Sequence, residues 1–238
     1  MTIIYTYGII GAMDPEIDIL VNDLENKKEE KKFGLNFYLG KLKKYDVVIV
    51  KCGVGKVNAG RTAQVLISKY SPKFIINTGI AGGLNNQLKI GDIVISTFLI
   101  QHDFDVTAFG YAKGYMFIGD NKKEPTKYIA DKELTDKVNN ILDKIKGERN
   151  VFKGIILTGD IFVSKKEKRE ELVKNFDGFC CEMEGAAIAQ VATLNNVPFT
   201  VIRLISDLPN DQGPEDYVNF EKESAKMSCL ALESFLEE

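Results

Sequence analysis

The feature that most constrains this chain is a repeated alternation of short, almost continuously apolar runs with longer amphipathic segments. The apolar runs end in glycine or polar residues, and the amphipathic segments carry apolar side chains at helical spacing. Strands that are apolar on both faces are typical of parallel sheets covered by helices on each side. We therefore predict an α/β fold, a single three-layer α/β/α domain over residues 1–238 around a central, mostly parallel, twisted sheet.

Both kinds of segment can be placed along the chain. The predicted strands are Tyr7–Ala12, Val47–Cys52, Phe74–Asn77, Ile93–Ile100, Gly154–Leu157, Phe179–Cys181 and Phe199–Ile205. We expect Asp14 to cap a first helix that has Pro15 in its first turn, and Asn58 to cap a second. Helical spacing predicts further helices over Leu134–Ile145 and Met227–Phe235.

Composition and charge exclude several partners. The net charge of -3 gives no reason to expect nucleic acid. The runs Lys27–Lys32 and Lys165–Arg169 mix Lys with Glu, which predicts solvated helix or loop. Ile3–Met13 is too short to cross a bilayer and contains two glycines, so we expect neither a membrane partner nor a signal peptide. Cys180 and Cys181 are adjacent in an apolar run, which indicates reduced thiols and a cytoplasmic location.

The chain contains one histidine, His102. A histidine-rich zinc site is therefore impossible, and a Ser-His-Asp triad would have to use this residue. Acid–base chemistry must fall mainly to Asp and Glu, which favours reactions that carboxylates catalyse well, such as glycosidic hydrolysis. No metal and no organic cofactor is implied.

Polar and glycine-rich segments follow the predicted strands and should meet at one edge of the sheet, because ligands bind beyond the carboxyl ends of parallel strands. These segments are Asp14–Glu16, Gly53–Gly55, Thr78–Gly83, Gly159–Phe162, Glu182–Glu184 and Ser206–Asp207. The carboxylates of Glu16, Glu184 and Asp207 then converge. Taken alone, Glu16 is also a typical acid at a helix start, and Gly79–Gly83 is either a ligand-binding loop or a tight turn.

Arg203 lies in the middle of an apolar strand, where burial requires a carboxylate partner or an anionic ligand. It shares strand parity with Asp207, so we expect both side chains on one face; a purely structural ion pair is the alternative. A dense group of aromatic residues follows Ile100 and is interpreted as core, pocket wall or subunit contact. Its members are Phe104, Phe109, Tyr111, Tyr115 and Phe117.

Together, the motifs resemble those of the methylthioadenosine/S-adenosylhomocysteine nucleosidases. The matching segments run in order through nearly the whole chain: Ile9–Glu16, Gly53–Ala59, Ile76–Gly83, Gly91–Val94, His102–Tyr111, Thr158–Val163, Glu182–Ala187 and Arg203–Asp207. The resemblance implies a nucleoside phosphorylase-like fold. It also implies hydrolysis of the N-glycosidic bond of methylthioadenosine, S-adenosylhomocysteine and 5′-deoxyadenosine, which releases adenine.

The resemblance further implies catalytic roles. Glu16 is expected to be the general base that activates water for attack on C1′, and Arg203 to help orient that water and Glu16. Asp207, assisted by Ser206, is expected to be the general acid at adenine N7. A carboxylate near the ribose and a proton donor at N7 suit the charges that develop as the bond breaks.

Binding roles follow from the same resemblance. Glu184 and the Met183 backbone are expected to bind the ribose hydroxyls. Backbone groups of Phe162 and Val163 read the adenine edge, the Phe162 ring stacks on the base, and Tyr217 flanks the nucleoside. Further residues implied to line the substrate site are Ile80, Ala81, Gly82 and Glu182.

Three residues of the aromatic segment, Val106, Phe109 and Tyr111, are implied to reach into the 5′-substituent pocket of a neighbouring subunit, so a homodimer is expected. Ile80 departs from the family pattern. Many relatives have a Ser there whose hydroxyl holds the attacking water, and Ile80 has no side-chain hydrogen-bonding group.

Two other readings stay open. A phosphorylase of the same superfamily would need cations at the nucleophile site, because phosphate is a dianion, whereas Glu16 would repel it. A nucleoside-binding protein without catalysis is the second, since fold alone does not fix function. The order of preference among methylthioadenosine, S-adenosylhomocysteine, 5′-deoxyadenosine and 6-amino-6-deoxyfutalosine also stays open.

Overall fold

The computed structural model describes residues 5–117, 121–145, 147–208, 225–227 and 229–237. The strands are β1 Tyr7–Gly11, β2 Glu25–Lys32, β3 Leu35–Leu42, β4 Tyr45–Lys51, β5 Phe74–Gly83, β6 Ile93–Gln101, β7 Tyr128–Ile129, β8 Val151–Thr158, β9 Cys180–Glu182 and β10 Phe199–Asp207. The helices are α1 Asp18–Asn22, α2 Lys56–Tyr70, α3 Lys132–Ile145, α4 Lys166–Phe176 and α5 Gly185–Leu194. Residues 225–227 and 229–237 are also helical, as predicted for the final helix.

The strands form one sheet in the order β10-β6-β8-β9-β5-β1-β4-β3-β2, with β7 beside β6. Strand β5 also pairs with β10, so β5, β10, β6, β8 and β9 close into a ring. The pairings of β1 with β4, of β1 with β5 and of β5 with β10 are parallel. Those of β10 with β6, of β5 with β9 and of β2 with β3 are antiparallel. The fold class is confirmed, but the sheet is mixed.

The sequence prediction for Lys27–Lys32 was wrong, because this run belongs to strand β2 and not to a helix or loop. Strand β2 pairs antiparallel with β3 through a tight turn in which Phe33 and Gly34 both have positive φ. Its side chains are mostly exposed on both faces. Charged residues suit such an edge strand because they oppose pairing with another chain. The second charged run begins helix α4, as expected.

The two predicted helix caps also differ from the structure. Helix α2 begins at Lys56 with Gly55 as N-cap, so Asn58 lies in its first turn and donates a hydrogen bond to the Val54 carbonyl. Asp14 does not cap α1, because a short 3-10 turn over Asp14–Glu16 intervenes. Its carboxylate instead pairs with Lys51 on the surface.

Helices cover the sheet on both faces. Small residues of α2 and α5 pack in one core cluster, whereas apolar residues of α1, α3 and the C-terminal helix pack in a second. Helix α4 closes a third cluster against β8. These layers confirm the α/β/α arrangement, while its extent over 1–238 as a single domain stays a prediction. Within the described ranges, no helix is long and apolar enough to cross a bilayer.

Candidate active site

The segments predicted to meet beyond the strand ends do form one cleft, with polar and apolar residues on its walls. The lining residues are Ala12, Met13, Glu16, Val54, Ile80, Ala81, Gly82, Ile161, Phe162, Val163, Cys181, Glu182, Met183, Glu184, Ser206 and Asp207. Strands β1, β5 and β10 run parallel side by side, so their carboxyl ends bring Glu16, Ile80 and Asp207 together from distant parts of the chain.

Glu16 is buried at the floor of the cleft. Its Oε2 accepts backbone N–H bonds from Ala12 at 2.5 Å and Met13 at 3.0 Å, and its Oε1 accepts one from Ile80 at 3.2 Å. Burial raises the pKa of Glu16 above its ordinary value, although the Arg203 charge and these backbone donors oppose the shift. A fixed carboxylate with a raised pKa is well suited to accept a proton from water.

A close approach of backbone holds this carboxylate in place. A Cβ atom on Gly79 would lie 2.5 Å from Glu16 Oε1, so only glycine leaves room for the observed geometry. Glycine is therefore required at position 79 by its contact with the Glu16 side chain. The segment continues strand β5 as extended backbone, and neither a tight turn nor a phosphate loop forms there.

Arg203 is fully buried beneath the cleft and makes an ion pair with Glu182 at 2.5 Å. Its Nη2 also donates to Asn77 Oδ1 at 2.5 Å. Burial would lower the pKa of the Arg203 guanidinium, but the charges of Glu182, Glu16 and Glu184 outweigh burial and raise this pKa above its ordinary value. The structural ion pair considered as an alternative is thus present, and Arg203 acts on Glu16 through charge.

The prediction that Arg203 and Asp207 share a strand face by alternation was wrong, because a bulge between Ile205 and Asp207 interrupts the alternation of side chains along β10. Asp207 nevertheless lies in the cleft, buried, with the Ser206 hydroxyl donating to its Oδ1 at 2.7 Å. The bulge therefore allows two consecutive polar residues, Ser206 and Asp207, both to line the cleft.

Glu182 and Glu184 occupy the same short segment but have different surroundings. Glu182 accepts N–H bonds from Glu184 at 3.0 Å and Gly185 at 2.7 Å, and a hydroxyl bond from Thr158. Its carboxylate is thus used to hold the segment and Arg203. Glu184 accepts one N–H bond, from Gly55 at 2.8 Å.

The environment of Glu184 favours the neutral acid. Burial, followed by the charge of Glu182, raises the pKa of Glu184 to about 8, although the Gly55 N–H and the Arg203 charge oppose this. A ligand whose hydroxyls donate to this carboxylate would favour its ionised form.

Apolar residues surround the mouth of the cleft. Phe162, Ile161 and Val54 are exposed there, whereas Val163 is buried. Phe162 thus presents an aromatic face at the entrance, where a planar base could stack. Tyr217, predicted to flank the ligand, lies outside the described residues.

The aromatic segment divides in two. Tyr111 stacks on the buried Tyr115 with ring centroids 5.3 Å apart, and Phe117 packs edge-on against both. Phe109 is 77% exposed at the end of a short 3-10 turn. Neither Val106, Phe109 nor Tyr111 lines the cleft of its own chain.

Sequence reasoning missed Asn77, Thr158 and Cys181 at this site. Asn77, inside β5, binds Arg203, and Thr158, at the end of β8, binds Glu182. Cys181 lines the cleft. A polar residue within an otherwise apolar strand was the available signal for Asn77. Across the described part of the chain, no group of three or more His, Cys, Asp or Glu side chains could hold a metal ion.

Comparisons with known proteins agree with this geometry. A sequence model of the phosphorylase superfamily matches residues 6–237. The 5′-methylthioadenosine/S-adenosylhomocysteine nucleosidase of Shewanella halifaxensis is 40% identical over 232 residues, covering 97% of this chain and 98% of that protein. The corresponding protein of Shewanella sediminis is 41% identical, with the same coverage.

Solved structures give the same result. The nucleosidase of Neisseria meningitidis, in complex with methylthio-immucillin-A, has a TM-score of 0.91 and 34% identity, covering 98% of this chain and 99% of that one. Futalosine hydrolase of Helicobacter pylori has a TM-score of 0.90 and 28% identity, covering 98% of each chain. The chain therefore belongs to the phosphorylase superfamily and, within it, to the 5′-methylthioadenosine/S-adenosylhomocysteine nucleosidases.

Proposed function

We propose that the protein hydrolyses the N-glycosidic bond of 5′-methylthioadenosine and S-adenosylhomocysteine, releasing adenine and the 5′-thio-ribose. The observation that carries the proposal is the charge of the cleft. Glu16, Glu184 and Asp207 line it, and none of the described lining residues is Lys or Arg. The nearby Arg203 is already paired with Glu182. Such a site disfavours a phosphate dianion and suits neutral water as the nucleophile.

The proposed reaction uses the carboxylates in sequence. As the bond to adenine breaks, positive charge develops on the ribose and negative charge on the base. The negative charge of ionised Glu16 stabilises the developing ribose cation, and Glu16 then accepts a proton from the attacking water. Asp207, held by the Ser206 hydroxyl, donates a proton to adenine N7. Arg203, whose charge acts on Glu16, helps to orient Glu16 and the attacking water.

Substrate binding is assigned to the walls of the cleft. Glu184 and the Met183 backbone bind the ribose hydroxyls, and backbone groups of Phe162 and Val163 bind the adenine edge, with the Phe162 ring on the base. Each of these residues lines the cleft. Tyr217 is proposed to flank the nucleoside. The Ile80 N–H supports Glu16, and its apolar side chain leaves the water to Glu16 and backbone groups.

We propose that the active form is a homodimer. Large apolar side chains are exposed: Val57, three residues after the cleft-lining Val54, is 82% exposed, and Phe109 is 77% exposed. A second copy that covers them would bring its Val106, Phe109 and Tyr111 over the 5′ end of the nucleoside. We also propose a cytoplasmic location, which the four buried, unpaired cysteines support.

Adenine release from methylthioadenosine, measured in phosphate-free buffer and again with phosphate, tests the reaction. We expect equal rates and free methylthioribose in both. Release only with phosphate would assign the protein to the phosphorylases. Tight binding of the nucleoside without turnover would instead indicate a binding protein.

Three single changes test the assigned roles. Glu16→Gln, Glu184→Gln and Asp207→Asn should each fold and lose about 10²–10⁴-fold in kcat/KM. Glu170→Gln, on the exposed face of α4, is the matched control and should keep the wild-type rate. A wild-type rate in any of the three removes that residue from the mechanism.

Substrate preference is tested by comparing kcat/KM for methylthioadenosine, S-adenosylhomocysteine, 5′-deoxyadenosine and 6-amino-6-deoxyfutalosine. We expect methylthioadenosine to be preferred over S-adenosylhomocysteine, because its methylthio group is apolar like the residues proposed to cover the 5′ end, whereas the homocysteine end carries charge. A preference for the futalosine derivative would indicate that this chain shares its function with the futalosine hydrolase of Helicobacter pylori.

A further inference from the structure

Three charged residues from separate elements meet beside the cleft without lining it. Lys56 begins α2, Asp103 follows β6, and Asp160 follows β8. The Lys56 ammonium binds Asp103 Oδ1 at 2.6 Å, and the Asp160 N–H donates to Asp103 Oδ2 at 2.9 Å. The Lys56 N–H donates to Asp160 Oδ1 at 2.9 Å. The three residues thus form a closed hydrogen-bonded triangle.

The triangle is continuous with two parts of the site. Lys56 follows Gly55, whose N–H donates to Glu184. Asp160 lies in the loop that continues to Phe162 and Val163 at the cleft. The segments proposed to hold the ribose and the adenine are therefore joined twice, directly by the Lys56 N–H bond to Asp160 and again through Asp103, which does not line the cleft.

Packing around the triangle leaves little freedom. A Cβ atom on Gly159 would lie 2.4 Å from His102 Nε2 and 3.1 Å from Asp103 Cγ. Gly55 has a φ of +98°, and a Cβ there would lie 3.2 Å from Asp160 Oδ1. The His102 ring is fully buried, and burial lowers its pKa, so it packs as a neutral ring beneath Gly159. The single histidine thus supports the loop.

The ion pair is shielded from solvent. The side chains of Lys56 and Asp103 are 19% and 15% exposed, so salt screens their attraction less than it screens a surface pair. Burial alone would raise the pKa of Asp103, but the hydrogen bonds from Lys56 and Asp160 lower it below its ordinary value. Asp103 is therefore an ionised anchor at physiological pH.

We propose that Asp103 and Lys56 are positioning residues that set the affinity of the cleft for its nucleoside by fixing the adenine loop and Gly55. The inference rests on the proposed function and extends it. Without the ion pair, the ligand must order both segments as it binds, which weakens binding. The chemical step changes less, because Glu16 and Asp207 are held by other bonds.

Kinetics of Asp103→Asn, Lys56→Met and the double variant test this inference. We expect each single change to raise KM about tenfold, as for the loss of one charge-assisted hydrogen bond, with kcat changed less than about threefold. The double variant should be no worse than the more affected single variant, because both remove the same interaction. Lys56→Arg keeps the charge and should restore most of the affinity.

Asp46→Asn is the matched control, because it breaks a lysine–aspartate pair of 3.1 Å on the hairpin of β3 and β4. It should change neither KM nor kcat. Calorimetric binding of free adenine is measured on every variant and should weaken in step with KM. This measurement needs no turnover. A wild-type protein that binds adenine but releases none from the nucleoside would refute the proposed function. The positioning role would then still be tested by the adenine affinities of the variants.

The inference is overturned by unchanged adenine affinity in Asp103→Asn and Lys56→Met, by a fall in kcat at constant KM, or by the same loss in Asp46→Asn. If Asp103→Asn does not fold, Lys56→Met alone decides between these outcomes.

Discussion

Replacing Glu184 with Gln should stabilise the ligand-free protein at neutral and alkaline pH, although it removes a residue assigned to substrate binding. Burial and the neighbouring Glu182 raise the pKa of Glu184 from 4.5 to about 8. The folded protein therefore holds this proton more tightly than the unfolded chain does. The resulting stabilisation is fully present below pH 4.5 and is lost as the pH rises through about 8.

The size of this stability change follows from the pKa shift of Glu184. Each pH unit between the unfolded and folded pKa values corresponds to about 1.4 kcal/mol, so the wild-type protein loses up to about 3 kcal/mol by pH 7. Interaction with Glu182 spreads the titration of Glu184 over a wider pH range, so the stability falls less steeply with pH than for an isolated carboxyl group. The amide of Gln does not titrate, so the variant escapes this loss.

Urea unfolding of the wild type and Glu184→Gln, at one protein concentration and between about pH 5.5 and 8, measures the difference. We expect the variant to gain stability relative to the wild type as the pH rises. Glu170→Gln, which changes an exposed carboxylate, should follow the wild-type slope. Parallel curves for wild type and Glu184→Gln, or a variant less stable at pH 8, would refute the assigned burial and charge coupling.

Three further changes probe the floor of the cleft. Gly79→Ala places a methyl group 2.5 Å from Glu16 Oε1 and should lower kcat by about 10²-fold in steady-state assays, while thermal unfolding shows a folded protein. Ile80→Ser offers the attacking water a hydroxyl partner and should raise kcat about fivefold; a lower kcat contradicts this. Arg203→Met leaves the Glu182 carboxylate buried without its cation and should lower the free energy of unfolding in urea by about 3–5 kcal/mol.

The position of the site could be predicted because it depends on a rule about strand ends. Parallel strands that each end in polar residues must present those residues at one edge of the sheet. Glu16, Glu184 and Asp207 meet there as expected. Local sequence was sufficient because each carboxylate lies within about four residues of the end of a recognisable apolar run.

Other features depended on contacts that local pattern does not encode. Strand β2 is polar on both faces, so its strand character comes from pairing with β3, whose buried side chains alternate. The partner of Arg203 could not be chosen from sequence among three nearby glutamates. The structure selects Glu182 because the Thr158 hydroxyl and the Gly185 N–H orient it.

The place of β10 in the sheet has a consequence for how the chain folds. Strands β5 and β6 are consecutive along the chain, yet β10 is inserted between them and pairs with both. A nascent chain therefore carries two unpaired strand edges until residues 199–207 have been synthesised. Such long-range insertion is slow and leaves intermediates open to aggregation. Because Asp207 lies on that same strand, the proposed acid joins the site only once β10 has been inserted, and fragments that lack β10 should be inactive.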